Sequence, residues 1–272
     1  MAIPQIPSLK EMVEAGMHFG HASGKWHPKM KPYIFATRKK LHIINLEVTQ
    51  DKMSEVLPKF EQRVRDGKAI VLVGTKPQAS KLVKEIGEKL GVAYVDVRWL
   101  GGTMTNWVEL QKSVTRMKDL DAFLASPDSA KVLKKERVVM ESELARMTTK
   151  YGGLRGLARK PEVLFVFDLD HDKNAVKEAR LQGAEIFAIC DTNANPALAD
   201  YMIPANDDAI KSVEMMVRLV EATIASGQKL VSVAAEEAPA EKPAKKAKAE
   251  AEVEVATETI EDVAVPELEV AE

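Results

Sequence analysis

Two aspartates two residues apart at the end of an apolar run, Asp168 and Asp170 in LFVFDLDHD, have the types and spacing for phosphoryl chemistry. One carboxylate would attack, the next would protonate the leaving group, and magnesium would sit beside both. Their neighbours argue otherwise. Such a site wants a flexible glycine directly after the second aspartate and a small or hydroxyl-bearing residue one further on, and here these are His171 and Asp172. Carboxylates at a strand end also suit the start of the next helix, where they accept backbone N–H groups. That capping role is the expectation. A second constellation is His18 and His21, which three residues apart would share a helical face and could hold a metal with Asp191 or Asp207. No cysteine or second paired motif accompanies them, so no metal is expected, and both histidines are expected to hydrogen-bond backbone or phosphate.

The loops offer no phosphate cradle either. TKPQAS after IVLVG lacks the glycines and the Lys-Ser/Thr of a phosphate-binding loop, and neither WLGGTMTN nor YGGLRG places G-x-G-x-x-G between a strand and a helix. No cofactor is expected.

A third set of residues has a different chemistry. Residues 18–40, HFGHASGKWHPKMKPYIFATRKK, hold six Lys or Arg (Lys25, Lys29, Lys31, Arg38, Lys39, Lys40), three His and four aromatics, with no acid at all. Further cations and an indole stand at Arg98 and Trp99 in VRWLGG, and at Arg155, Arg159 and Lys160 in RGLARK. Cations neutralise phosphates, while aromatic and guanidinium planes stack on splayed bases. These loops, with Trp26, are the candidate nucleic-acid contacts; the competing reading for Trp26 and Trp99 is partial burial against the sheet edge.

Charge along the chain agrees. Overall the formal charge is −2, but Ala235–Glu272 carries 12 acids against 4 lysines, leaving 35 cations against 29 acids in residues 1–234. A basic folded part with an acidic tail points to a polyanionic partner for the former. The tail, without an aromatic residue, cannot bury enough surface to offset its ordering entropy and is expected to be disordered. The single cysteine, Cys190 in AEIFAIC, excludes an internal disulfide and fits a reducing compartment. With no apolar run of spanning length and no signal-peptide pattern, a soluble cytoplasmic protein without membrane partners is expected.

The elements that must position these groups are legible from periodicity. KAIVLVG, EVLFVFD and AEIFAICD read as strands buried on both faces of a parallel sheet, with VAYVDV and ADYMIP as further strands. PQASKLVKEIGEKLG, NAVKEARLQG, Leu46 to Arg65 and Asp208 to about Ala225 read as helices. The alternation predicts a doubly wound α/β sheet. PYIF and LHIIN flanking ATRKK predict a basic-tipped hairpin. Between Thr105 and Lys150, Leu110, Val114, Met117 and Leu124 on one segment and Leu133, Met140, Leu144 and Met147 on the next predict the seam of a coiled-coil hairpin projecting about 30 Å. The expected units are thus 1–104 with 151–230 as an α/β RNA-binding domain, 105–150 as the helical hairpin and 235–272 as the acidic tail.

GMHFGHASGKWHPKMKPYIFATRKKLHIINLEVT, VGTKPQA, VRWLGGTMTNW, KYGGL, VLFVFDLDHDKNAVKEA and AICDTNANPALADYMIPANDDAIKSV, in this order, resemble the "S two" family of bacterial small-subunit ribosomal proteins. The likeness runs from about residue 8 to 228. It departs at His27, where the family usually has Asn, at Lys39-Lys40, which replaces a common Asn-Gly turn, and at Asn45, which replaces a common Asp. The resemblance implies a flavodoxin-like five-stranded parallel sheet with an inserted coiled-coil hairpin. It also implies a structural, non-enzymatic monomer bound to small-subunit ribosomal RNA between head and body, contacting other small-subunit proteins and docking the "S one" type. Its rivals are a phosphatase using Asp168 and Asp170, and a free-standing RNA-binding regulator.

Overall fold

In the computed structural model, which describes residues 5–237, a small antiparallel sheet precedes a five-stranded parallel one. Helix α1 (Leu9–Glu14) starts at a capping box, in which Ser8 Oγ accepts from the Glu11 N–H and the Glu11 carboxylate accepts from the Ser8 N–H. Strand β1 (Phe19–Ala22), a 3-10 turn over Pro28–Tyr33, β2 (Ile34–Arg38) and β3 (Leu41–Ile44) then form a sheet of order β1-β3-β2. The β2–β3 hairpin is the one expected. β1 is an addition, because FGHA is too short to show an alternation.

The hairpin turns at Lys39 and Lys40, both at positive φ, +48° and +63°. Two successive left-handed residues are the requirement of a two-residue I′ turn, usually met by Asn-Gly. A side chain at each costs about 1–2 kcal/mol there. The turn persists because the pairing of Arg38 with Leu41 across it fixes the register, and it leaves both ammonium groups at the exposed tip.

Helix α2 (Leu46–Arg65) is capped by Asn45, whose side chain accepts from the Glu47 N–H at 3.1 Å, so Asn serves where Asp is common. The main sheet follows: β4 (Ile70–Val73), α3 (Pro77–Leu90), β5 (Ala93–Val95), then β6 (Val163–Val166), α6 (Lys173–Leu181), β7 (Glu185–Cys190) and β8 (Tyr201–Pro204), with α4 (Trp107–Ala125) and α5 (Lys134–Tyr151) inserted before β6. All pairings are parallel and the order is β5-β4-β6-β7-β8, the flavodoxin-like order with its switch point between β4 and β6. Alternate residues supply two cores. Leu72, Phe165, Phe187 and Ile189 face α2 and α7 (Ile210–Glu237), where Phe60 lies 5.0 Å from the Phe165 ring and 5.1 Å from that of Phe187. Val71, Val73, Leu164 and Ile186 face α6 and the start of α4. At about 1.5–3 kcal/mol per buried large side chain these two layers hold the domain.

Helix α7 runs beyond the expected Ala225 to Glu237. It passes Gly227 because that residue lies against α2, where an added Cβ would stand 2.8 Å from Val64. The acidic tail from residue 238 onward lies outside the described residues.

The inserted hairpin consists of α4 (Trp107–Ala125) and α5 (Lys134–Tyr151) joined by a 3-10 turn at Pro127–Lys131. Its arms are about 27–29 Å long at 1.5 Å per residue. Leu110, Val114 and Met117 are buried, whereas Leu124, Met140, Leu144 and Met147 are only half covered. Leu133 is not in the seam: it stands at the N-cap of α5, 71% exposed, because the helix begins after it. Within residues 118–151 Ser129 alone is buried, and an Arg116–Glu143 pair at 2.7 Å links the arms.

Candidate nucleic-acid interface

The segment without acids folds into the small sheet and its 3-10 turn, which determines how its cations are presented. Lys25, Lys29, Lys31, Arg38, Lys39 and Lys40 are all exposed, and among the described residues none of their side chains forms a hydrogen bond or ion pair. Unpaired cations this close together repel one another, an arrangement that a polyanion relieves. Around them Trp26 is 38% exposed with its ring 5.5 Å from that of His42, and Phe35 on β2 is 74% exposed. Phe35 and the exposed Phe19 were not among the expected contacts. Their signal is aromatic residues on a four- or five-residue strand flanked by cations.

The sheet is fastened to the C-terminal edge of the main sheet. The His21 N–H donates to Thr192 Oγ1 at 2.9 Å, the His27 N–H to the Thr192 carbonyl at 2.8 Å, and Asn206 Nδ2 to the Gly16 carbonyl at 2.9 Å. The approach is close enough to require Gly20, where a Cβ would stand 2.6 Å from Thr192 Cγ2. His27 also caps its 3-10 turn, accepting from the Lys29 N–H at 3.2 Å.

The other expected contacts divide. Arg98 is exposed beyond the end of β5, on the same edge, without a partner among the described residues. Trp99 beside it is 5% exposed and its indole N–H donates to Glu178 at 3.3 Å, so its face is not open to a base. Glu178 also accepts the N–H groups of Gly102 at 2.8 Å and Met104 at 3.0 Å, and thereby holds the whole loop. Burial alone would raise this carboxyl, but the donors from Met104, Gly102 and Thr105 outweigh it and hold it below the usual range. Arg155, Arg159 and Lys160 lie before β6, at the opposite, N-terminal edge. Each has a partner within the chain: Asp121 for Arg155 at 2.5 Å, the Gly67 carbonyl and Glu162 for Arg159, Gln182 for Lys160.

Neither Asp168 nor Asp170 caps helix α6, whose N-cap is Asp172 without a side-chain cap bond; Asp168 instead holds the turn that leads into it. Its Oδ1 accepts the N–H groups of Asp170 at 2.9 Å and His171 at 2.8 Å, and its Oδ2 lies 3.2 Å from Lys76. Asp170 pairs with Lys173 at 2.8 Å. Lys76 also meets Asp207 at 2.8 Å and Asp208 at 2.6 Å. Burial works against its charge, but those carboxylates outweigh it and hold the ammonium well above its ordinary range.

His18 and His21 do not share a helical face. His21 is in β1 and His18 immediately precedes it, and three steps along extended chain turn side chains to opposite faces. His18 lies against Phe19, ring centres 4.0 Å apart. His21 turns to the ends of β7 and β8, where the adjoining Asp191 carboxylate pushes its imidazole up to about 9.

Comparison with known proteins identifies the family. The family described as Ribosomal protein S2 matches residues 12–227. A curated relative named small ribosomal subunit protein uS2, from Buchnera aphidicola subsp. Schizaphis graminum (strain Sg), is 42% identical over 225 residues, which cover 82% of this chain and 92% of the relative. Covering both sheets and the inserted hairpin, these matches establish that the chain belongs to the ribosomal protein S2 family.

Proposed function

We propose that the chain is a structural constituent of the small ribosomal subunit in translation and binds small-subunit ribosomal RNA through its N-terminal sheet. The observation that carries this is the set of six exposed cations in residues 25–40 that meet no acid among the described residues, interleaved with exposed Trp26 and Phe35. Each cation laid on a phosphate releases condensed counterions, and each open aromatic face takes a splayed base. The surface is fastened at Thr192 and Asn206, so it meets RNA as a pre-organised plate rather than a loose arm.

On this reading the protein catalyses nothing. Asp168, the would-be nucleophile, has its oxygens engaged by two backbone N–H groups and an ammonium. Membership of the family supports a ribosome-associated, cytoplasmic location, contacts with neighbouring small-subunit proteins, a position between head and body, and docking of the "S one" type. No described helix is long and apolar enough to cross a membrane. The test is a sucrose gradient of a cell lysate probed for this chain. It should co-sediment with small subunits, and "S one" type protein should leave that fraction when this chain is depleted. A chain found only at the top of the gradient would overturn the assignment.

A further inference from the structure

Helix α4 carries a second stripe, roughly opposite the buried Leu110, Val114 and Met117. Val108, Lys112, Thr115, Asp119 and Phe123 follow one another at steps of four, three, four and four residues, the spacing of one helical face. With Met140 of α5 they border an open groove of about 760 Å³. Val108 is 63% exposed, and Lys112, Thr115 and Asp119 are exposed too. Lys112 reaches Glu109 in its own helix at 2.6 Å, a surface pair of little strength. Among the described residues the Asp119 side chain has no hydrogen bond or ion pair. The stripe is matched about its middle. Val108 and Phe123 stand equally far from the point between Thr115 and Arg116, and so do Lys112 and Asp119. An antiparallel two-fold pairing through that point sets Val108 of each copy against Phe123 of the other, and Lys112 of each against Asp119 of the other.

We propose that this face of α4 binds a second copy of the chain, as an antiparallel pair held by Val108–Phe123 contacts and Lys112–Asp119 ion pairs, with Thr115 at the axis. Charge complementarity selects both the occupant and its direction. A parallel pair would set Lys112 on Lys112 and Asp119 on Asp119, whereas the antiparallel one satisfies all four charges. A polyanion would meet the unpaired carboxylate of Asp119 in the middle of the face. The contact is one helix face wide and about 23 Å long, which places it among the weak, reversible pairs that bury less than about 1,200 Å². A pair this weak gives way to a tighter assembly, so the chain can still enter one as a single copy. The basic sheet takes no part in the contact, which stands whether or not that sheet binds RNA.

The test is sedimentation equilibrium on the untagged full-length chain. Its mean mass should rise with concentration from that of one chain toward that of two, with a Kd of about 10–100 µM, and added salt should weaken the association. Lys112→Asp and Asp119→Lys should each weaken it at least about tenfold by setting like charges opposite. Combining the two changes should restore it, which also shows that neither alone unfolded the hairpin. Thr115→Cys should be joined into a dimer by a short bismaleimide, because the native Cys190 is buried and does not compete. Lys150→Cys, on the exposed base of α5, should not, since the two bases lie at opposite ends of the pair. A chain that stays monomeric at every concentration would overturn the pairing, and is the result expected if another protein or an apolar molecule is the true occupant. So would a combined variant no better than the single ones, or Lys150→Cys joining as readily as Thr115→Cys.

Discussion

Two basic runs of similar composition have opposite fates in this fold. Between Lys25 and Lys40 six cations face solvent with no partner among the described residues, whereas between Arg155 and Lys160 all three are engaged within the chain. The difference lies in the surroundings, not in the number of charges. The first run sits on a sheet whose own residues 18–40 hold no acid. The second is threaded past Asp121, Glu162 and the β4 and β7 edges, where acceptors are within reach. A cation already paired has less to gain from phosphate, so basic sequence alone does not mark an interface.

The two tryptophans give the strongest way to break that contrast. Trp99→Ala should cost about 3–5 kcal/mol of folding stability in denaturant unfolding, as a buried indole does, with no change in the salt dependence of RNA binding. Trp26→Ala should leave stability nearly unchanged and weaken RNA binding by about 1–3 kcal/mol, largely independent of salt. The reverse pattern would exchange their roles.

The loop behind Trp99 sharpens the point through pH. Glu178→Ala orphans the N–H groups of Gly102 and Met104 and should cost about 2–3 kcal/mol at pH 7. Because the folded carboxyl is depressed, its contribution is complete above the unfolded value of about 4.3 and is lost as pH falls through the lower folded value. Melts at pH 7 and pH 3 should therefore show wild type and variant converging in acid. A gap that stays constant would mean the carboxylate charge is not what holds the loop.

A direct comparison of the two runs uses salt. Changing Arg38, Lys39 and Lys40 together to Gln should lower the slope of log affinity for ribosomal RNA against log salt by about two. Changing Arg155, Arg159 and Lys160 to Gln should move it by less than about one. Equal slopes for both triple variants would erase the distinction. The smallest effect is at the turn: Lys39-Lys40→Asn-Gly should stabilise the domain by about 1 kcal/mol by relieving two positive φ angles, while still weakening RNA binding at low salt. A destabilised double variant would show that the lysines do not strain the hairpin.

The main sheet was legible because each of its strands is an apolar run bounded by helical periodicity, and β4, β6 and β7 fall within the runs that announce them. What escaped was structure made by distant partners. β1 is a strand only because β3 lies beside it, and Gly20 is needed only because Thr192 arrives from 172 residues on. The burial of Trp99 was left open because Glu178, which fixes it, is in another helix. Leu133 fitted the heptad spacing but fell one residue outside the helix that would have aimed it inward. The sequence suggested Asp191 as a neighbour of His21, but that His18 stays apart from them depends on β1 being a strand.

The attachment of the small sheet to Thr192 and Asn206 also orders events in time. The basic segment is among the first to be synthesised, but the residues that seat it are made about 170 to 190 residues later, a delay of about 10–40 s at ordinary elongation rates. During that interval its six cations and exposed aromatics are unsupported by their final scaffold, and closing so long a loop is among the slower steps available to a chain of this size. The surface offered to a polyanion is therefore completed only when the last strand of the domain has been made, so a truncated chain ending before β8 would present the charges without the plate that holds them.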